Sequence, residues 1–126
     1  MDGIETEGAP TSIGPFSQAV RDGDRLYVSG QGPVDPESGE IVGGDISAQT
    51  RATMENIETV LEAGNSSLEN VVKTTVFVTD MDDYEDVNAV YERYVTEPYP
   101  ARSAVEVSRL PIDIGVEIDV IARVDP

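Results

Sequence analysis

The chain has no cysteine, no histidine and a single lysine, Lys73. Without cysteine there is no disulfide, no thiolate nucleophile and no cysteine zinc site. Without histidine there is no imidazole base, which excludes a Ser-His-Asp triad and histidine-ligated metals. Proton transfer near neutral pH is left to a carboxylate, a tyrosine, Lys73 or ordered water. An oxygen-only Mg²⁺ or Ca²⁺ site stays open. Yet "DMDD" (80–83) and "DPESGE" (35–40) lack the spacing of a calcium loop and read as a helix start and a hairpin turn.

Positive charge is equally scarce, with 8 basic against 25 acidic residues and a net charge of −17. A nucleic-acid surface must neutralise phosphates with Lys and Arg, so that class of partner is not expected. The acids are spread along the chain rather than gathered in a tail, which suits solubility in concentrated salt and suggests a halophilic source with an acidic surface. No apolar run is long enough to span a membrane. The opening "MDGIETEGAP" lacks the layout of a secretory leader, and the expected location is the cytoplasm. At 126 residues with 39% apolar content, one domain over 1–126 is expected.

Within those bounds the pattern is α+β. Apolar runs at "SQAV" and "RLYVSG" flank Asp22-Gly23, a strong hairpin signal. "VDPESGE" makes a second turn leading into "IVGG", a possible short strand. "DISAQTRATMENIETVLEAGN" reads as a helix capped by Asp45, with Ile46, Met54, Ile57 and Leu61 on one stripe and Gly64 as the stop. A β-branched strand follows over Val71 to Thr79, then a second helix, "DDYEDVNAVYERYV", started by Asp80 or Asp82. Its Tyr84, Val87, Tyr91 and Tyr94 share a side. "RSAVEVSRL" and "GVEIDVIARV" close the chain as strands; Val116, Ile118, Val120 and Ala122 alternate with Glu117, Asp119, Ile121 and Arg123. Two helices cover one face of a mixed sheet, while residues such as Phe77 are apolar on the other. That second face calls for oligomerisation.

Individual polar residues say little. Arg102 opens a strand and shares a face with Ala104, Glu106 and Ser108; alone it reads as a surface arginine paired with one of many acids. Glu117 alone reads as the wet face of a strand, Ser29 in "VSGQ" as a turn serine, and Phe16 as a core aromatic. Asn65-Ser66-Ser67 matches a glycosylation sequon that carries no weight without a leader.

Taken together, "IGPFSQAV", "VSGQGPVDPESGEIVGGDISAQTRATMENIETVLEAGNSSLENVVKTTVFVTDM", "VNAVYERYV", "PARSAVEVSRLP" and "VEIDVIA" resemble the YjgF/RidA proteins (reactive intermediate deaminases), RidA-like branch, over nearly the whole chain. The resemblance implies a chorismate-mutase-like α+β fold and a homotrimer whose sheets pack into a central barrel, with a ligand cleft at each subunit interface. It implies metal-independent, cofactor-free hydrolysis of enamine and imine acids, such as 2-aminoacrylate/2-iminopropanoate and 2-iminobutanoate, to 2-keto acids and ammonia. PLP-dependent dehydratases would supply them. Residue by residue it implies that Arg102 of "PARS" binds the substrate carboxylate and Glu117 of "VEIDVIA" positions the attacking water. The same resemblance implies that Phe16, Ser29, Gly30, Asn88 and Ala104 line the pocket.

Three positions depart from the family pattern. Phe16 stands where tyrosine is usual, Ala104 where cysteine is frequent, and "YVTEPYPARS" is shorter than in many relatives. The alternative is a binding module of the same fold that captures small carboxylates without turnover. Arg102 would serve both roles, Glu117 with a positioned water only the enzyme.

Overall fold

The computed structural model describes residues 1–125. Its strands are β1 (Asp2–Ile4), β2 (Ala19–Asp22), β3 (Arg25–Gln31), β4 (Val71–Val78), β5 (Ala101–Glu106) and β6 (Val116–Arg123), with helices α1 (Ile46–Ala63) and α2 (Tyr84–Tyr91). They form one six-stranded sheet in the order β1-β2-β3-β6-β4-β5. Only β4 and β5 run parallel, because α2 carries the chain back between them; the other neighbours are antiparallel. The α+β arrangement is the one expected. Neither helix is long and apolar enough to cross a membrane.

Local chemistry accounts for most boundaries. Gly23 takes φ +66° in the tight β2–β3 turn, a conformation that costs glycine nothing. Asp45 accepts a hydrogen bond from the Ala48 amide at 2.9 Å and starts α1. Asp80 does the same for Asp82 at 2.9 Å, opening the short turn that leads into α2. The helix stops at Gly64 as expected, but not through a left-handed glycine: Gly64 has φ −92°, and the left-handed residue is Asn65 at φ +61°. Gly64 is there for space. A Cβ on it would stand 2.5 Å from Leu26 Cδ2, and Leu26 is fully buried. Gly64→Ala is therefore expected to cost about 1–3 kcal/mol by overpacking, read as a lower denaturation midpoint at unchanged m-value.

Three other expectations differ. "IVGG" forms no strand, only an isolated bridge between Val34 and Ile41. The second helix ends at Tyr91, short of the full "DDYEDVNAVYERYV". β1 was not anticipated, since three residues with one apolar side chain carry no periodic signal.

The core lies between the sheet and the helices. Met54, Ile57, Val60 and Leu61 of α1 and Val87 and Tyr91 of α2 pack on Leu26, Val28, Val76, Val78, Val116, Ile118 and Val120. Side chains on a strand alternate, and paired residues on neighbouring strands point the same way. Thr74, Val76 and Val78 face the helices, and with them their β5 partners Arg102, Ala104 and Glu106. Thr75 and Phe77 face the other way, with Glu117, Asp119, Ser103 and Val105. On this helix-free face Tyr27, Phe77, Val105 and Ile121 remain at least partly exposed.

Candidate active site

Arg102 sits half-buried on edge strand β5, and its surroundings are aromatic rather than acidic. Its Nη2 donates to the Tyr84 hydroxyl at 2.8 Å. Its guanidinium lies 4.9 Å from the centre of the Tyr91 ring and 5.5 Å from that of Tyr84, within cation–π range. The Tyr91 hydroxyl is tied to Thr74 Oγ1 at 3.0 Å, which holds that ring in place. Among the described residues the one ion pair is Arg25 with Asp24, at 3.1 Å. In a chain of 25 acids and 8 bases, Arg102 has no carboxylate partner among the described residues. A surface ion pair does not explain it.

Asn88 lies one turn beyond Tyr84 on α2 and belongs to the same cluster. Hydrogen bonding from Asn88, then the charge and hydrogen bond of Arg102, draw the Tyr84 hydroxyl below the usual phenol range. The Asn88 Oδ1 is buried without a hydrogen-bond partner, so an acceptor is left free beside the arginine. Ala104 follows on the same face, paired with Val76.

Glu117 belongs to a different neighbourhood. It is half-buried on β6, and burial, then the nearby Asp119 charge, push its carboxyl above the usual glutamate range. Burial also raises Asp119, opposed by a Thr75 hydrogen bond and by Lys73. Opposite Glu117, β3 carries an irregularity between Val28 and Gln31 that contains Ser29 and Gly30. A Cβ on Gly30 would fall 2.7 Å from Glu117 Cδ, so glycine is what lets the carboxyl lie against that backbone. Ser29 Oγ donates to the Ser17 carbonyl at 2.7 Å and pins the Gly14–Ser17 loop. Glu117, Gly30 and Phe16 line one cleft of about 610 Å³.

Two buried amides position this cleft. Gln18 Oε1 accepts from the Thr6 amide at 2.7 Å, and its Nε2 donates to the Thr6, Ala9 and Pro10 carbonyls at 2.9–3.2 Å. Asn56 on α1 donates to the Gly32 and Val34 carbonyls at 3.0 and 2.9 Å, anchoring the loop after β3. Sequence reasoning missed both, and it placed Tyr84 only on a shared helix side. The signal for Tyr84 was present in the i, i+4, i+7 spacing of Tyr84, Asn88 and Tyr91 on one helix face.

The seven expected residues thus fall into two groups. Arg102, Asn88 and Ala104 gather on the helix side of β5, while Glu117, Phe16, Ser29 and Gly30 gather around the cleft by β3 and β6. Arg102 and Glu117 are on opposite faces of the sheet, because Arg102 pairs with Thr74 and Glu117 with Phe77. Within one chain the two side chains do not share a cleft; the cleft expected from the resemblance is one at a subunit interface. Among the described residues no three acidic side chains converge as a metal-binding group.

The family model described as Endoribonuclease L-PSP matches residues 6–124. A RutC family protein of Pyrococcus horikoshii is 54% identical over 119 residues, 94% of each chain. The 2-iminobutanoate/2-iminopropanoate deaminase of Salmonella typhimurium is 49% identical over 122 residues, again 94% of each chain. Among solved structures, E. coli TdcF with bound serine superposes with a TM-score of 0.93 at 40% identity, covering 99% of this chain and 100% of that one. Coverage this complete, on the same fold, means that the chain belongs to the YjgF/RidA family.

Proposed function

We propose that the chain hydrolyses 2-imino acids and their enamine tautomers to 2-keto acids and ammonia, at a site assembled between copies of the chain. The observation that carries this is Arg102: a guanidinium held by Tyr84 and stacked on Tyr91, with its carboxylate-binding edge unclaimed in an acidic protein. A planar fork of this kind binds a carboxylate through two charge-assisted hydrogen bonds. The serine held by TdcF has such a carboxylate, and so does every 2-imino acid. Nuclease action, which the family description suggests, is disfavoured: one lysine and −17 are a poor match for a polyanion.

The chemistry asks little of the protein. An imine carbon is already electrophilic, so orientation and one proton-transfer group suffice. With the carboxylate on Arg102, Glu117 takes a proton from water as the C–O bond forms at the imine carbon. Protonated Glu117 gives that proton to the nitrogen. The carbinolamine hydroxyl then loses its own proton to the departing amine as the C–N bond breaks, so ammonia leaves, a ketone remains and Glu117 is a carboxylate again. Glu117 suits this role because burial raises its proton affinity toward neutral. That feature favours an enzyme over a passive carboxylate-binding module.

Assembly resolves the division between the two groups. β5 is a sheet edge, and the helix-free face exposes Tyr27 and Val105 beside Phe77 and Ile121, a surface suited to a second copy. Packing by that face in a cyclic trimer would bring the Arg102 group of one protomer to the Glu117 group of its neighbour. A mixing experiment tests this. Arg102→Ala and Glu117→Gln chains, each strongly impaired alone at substrate well below KM, are unfolded together in equal amounts and refolded. In a composite site one interface in four receives both intact halves, so about a quarter of wild-type activity returns. No recovery, with oligomers formed, would mean that each chain uses its own two residues.

A further inference from the structure

We infer that the cleft beside Glu117 selects 2-imino acids with a long apolar side chain, an inference that rests on the imine-hydrolysis reading above. The part of the site that one protomer supplies is a cleft of about 610 Å³, in the range of sites for ligands far larger than a three-carbon acid. Polar side chains (Ser12, Gln31, Glu37 and Glu117 among them) share its lining, but most of the large side chains in its walls are apolar: Ile13, Phe16, Val34, Ile41, Ile112 and Ile114. Ile13, Phe16 and Ile41 are 70%, 48% and 43% exposed, so three large apolar side chains converge on one opening without covering each other. Such convergence marks a surface that meets an apolar partner.

The walls are anchored. Val34 and Ile41 are bridged across the turn that Asp35 closes by accepting from the Glu37 amide at 2.8 Å. The Asn56 amide grips the Gly32 and Val34 carbonyls from α1. Phe16 presents a bare ring at the rim, with no hydroxyl that a polar or very short side chain could use. The methyl group of 2-iminopropanoate would leave most of this apolar surface wet, whereas a leucine- or phenylalanine-sized chain would cover it.

Substrate size then constrains the supply. Eliminating water from an amino acid needs a β-hydroxyl, which a leucine-like chain lacks. Its imine forms by two-electron oxidation of the amine: the Cα–H and one N–H are lost to a flavin or nicotinamide acceptor on another enzyme, leaving C=N. Water then adds at carbon, the C–N bond breaks and ammonia departs, as above. The supplier for this substrate class is an amino-acid oxidase or dehydrogenase.

The test generates imines in place with an L-amino-acid oxidase acting on alanine, leucine or phenylalanine, and measures how far the oligomeric protein accelerates 2-keto acid release. The expected kcat/KM for the leucine-derived imine exceeds that for the alanine-derived one by roughly tenfold or more, since a single methylene in an apolar pocket can be worth that much. Calorimetric binding of 4-methyl-2-oxopentanoate should exceed that of pyruvate in the same sense. Ile41→Ser, on an exposed loop, should reduce the leucine-to-alanine ratio at unchanged melting temperature. Equal or greater activity on the alanine-derived imine overturns the size inference and leaves imine hydrolysis standing. Turnover of neither imine removes both.

Discussion

Glu117→Gln is expected to lower kcat by about 10²–10⁴, the usual contribution of a positioned acid–base group, while 2-keto acid binding persists. The amide has the carboxyl's shape, so it fits against Gly30, where an ideal Cβ already comes within 2.7 Å of Glu117 Cδ. The wild-type pH profile carries a matching sign. In the proposed reaction Glu117 works as a carboxylate, and its pKa is raised, chiefly by burial and secondarily by Asp119. Activity therefore falls on the acid side at a pH above the ordinary glutamate range, and that limb is absent from the residual activity of the variant. Stability moves the other way. A carboxyl whose folded pKa lies above its unfolded value loses stability as pH rises from the unfolded through the folded pKa. At neutral pH the Gln variant should melt no lower than wild type, which separates a chemical defect from a folding one. A variant that turns over normally would leave Glu117 with no role in the reaction.

Arg102→Ala should weaken both the imine and the keto-acid product. Truncating one side of a hydrogen-bonded charge pair costs about 2–5 kcal/mol. KM and the product Kd should accordingly rise by roughly thirtyfold or more. Arg102→Lys should recover only part of this, because an ammonium cannot offer the planar fork or stack on Tyr91 in the same way. The core should tolerate both changes, since Arg102 is half-buried at a sheet edge and makes no ion pair. Calorimetry with a 2-keto acid measures the loss, and a thermal melt checks the fold. Wild-type affinity in Arg102→Ala would reduce the arginine to a surface group.

Residues with local periodicity were the legible ones. The alternation of Val116, Ile118, Val120 and Ala122 with Glu117 and Asp119 appears in β6 as read, because one face is buried and the pattern admits no slip. Asp45 and Gly23 announced their helix cap and turn for equally local reasons. The motifs named the candidate residues but not their arrangement. Whether Arg102 and Glu117 share a face depends on how β4 pairs with both β5 and β6, a relation between residues as far apart in sequence as Val71 and Ala122. The helical spacing of Tyr84 says only that it shares a side with Val87, Tyr91 and Tyr94, and names no partner for its hydroxyl. The helix ends at Tyr91, and its first turn meets β5. Gln18 and Asn56 act through main-chain carbonyls far along the chain, and amide side chains give no sequence signal for that.

The isolation of Arg102 from carboxylates has a consequence for how substrate arrives. The proposed substrate, a 2-imino acid, is an anion approaching a protein of net charge −17, so the long-range field opposes the encounter, and attraction begins only near the guanidinium. Electrostatic steering here works in reverse. Dissolved ions shorten the reach of the repulsive field, with a screening length of roughly 10 Å at 0.1 M and 3 Å at 1 M, while hardly weakening a contact made at hydrogen-bond distance. Arrival and capture thus respond differently to ionic strength, and an enzyme limited by arrival would quicken in brine rather than slow.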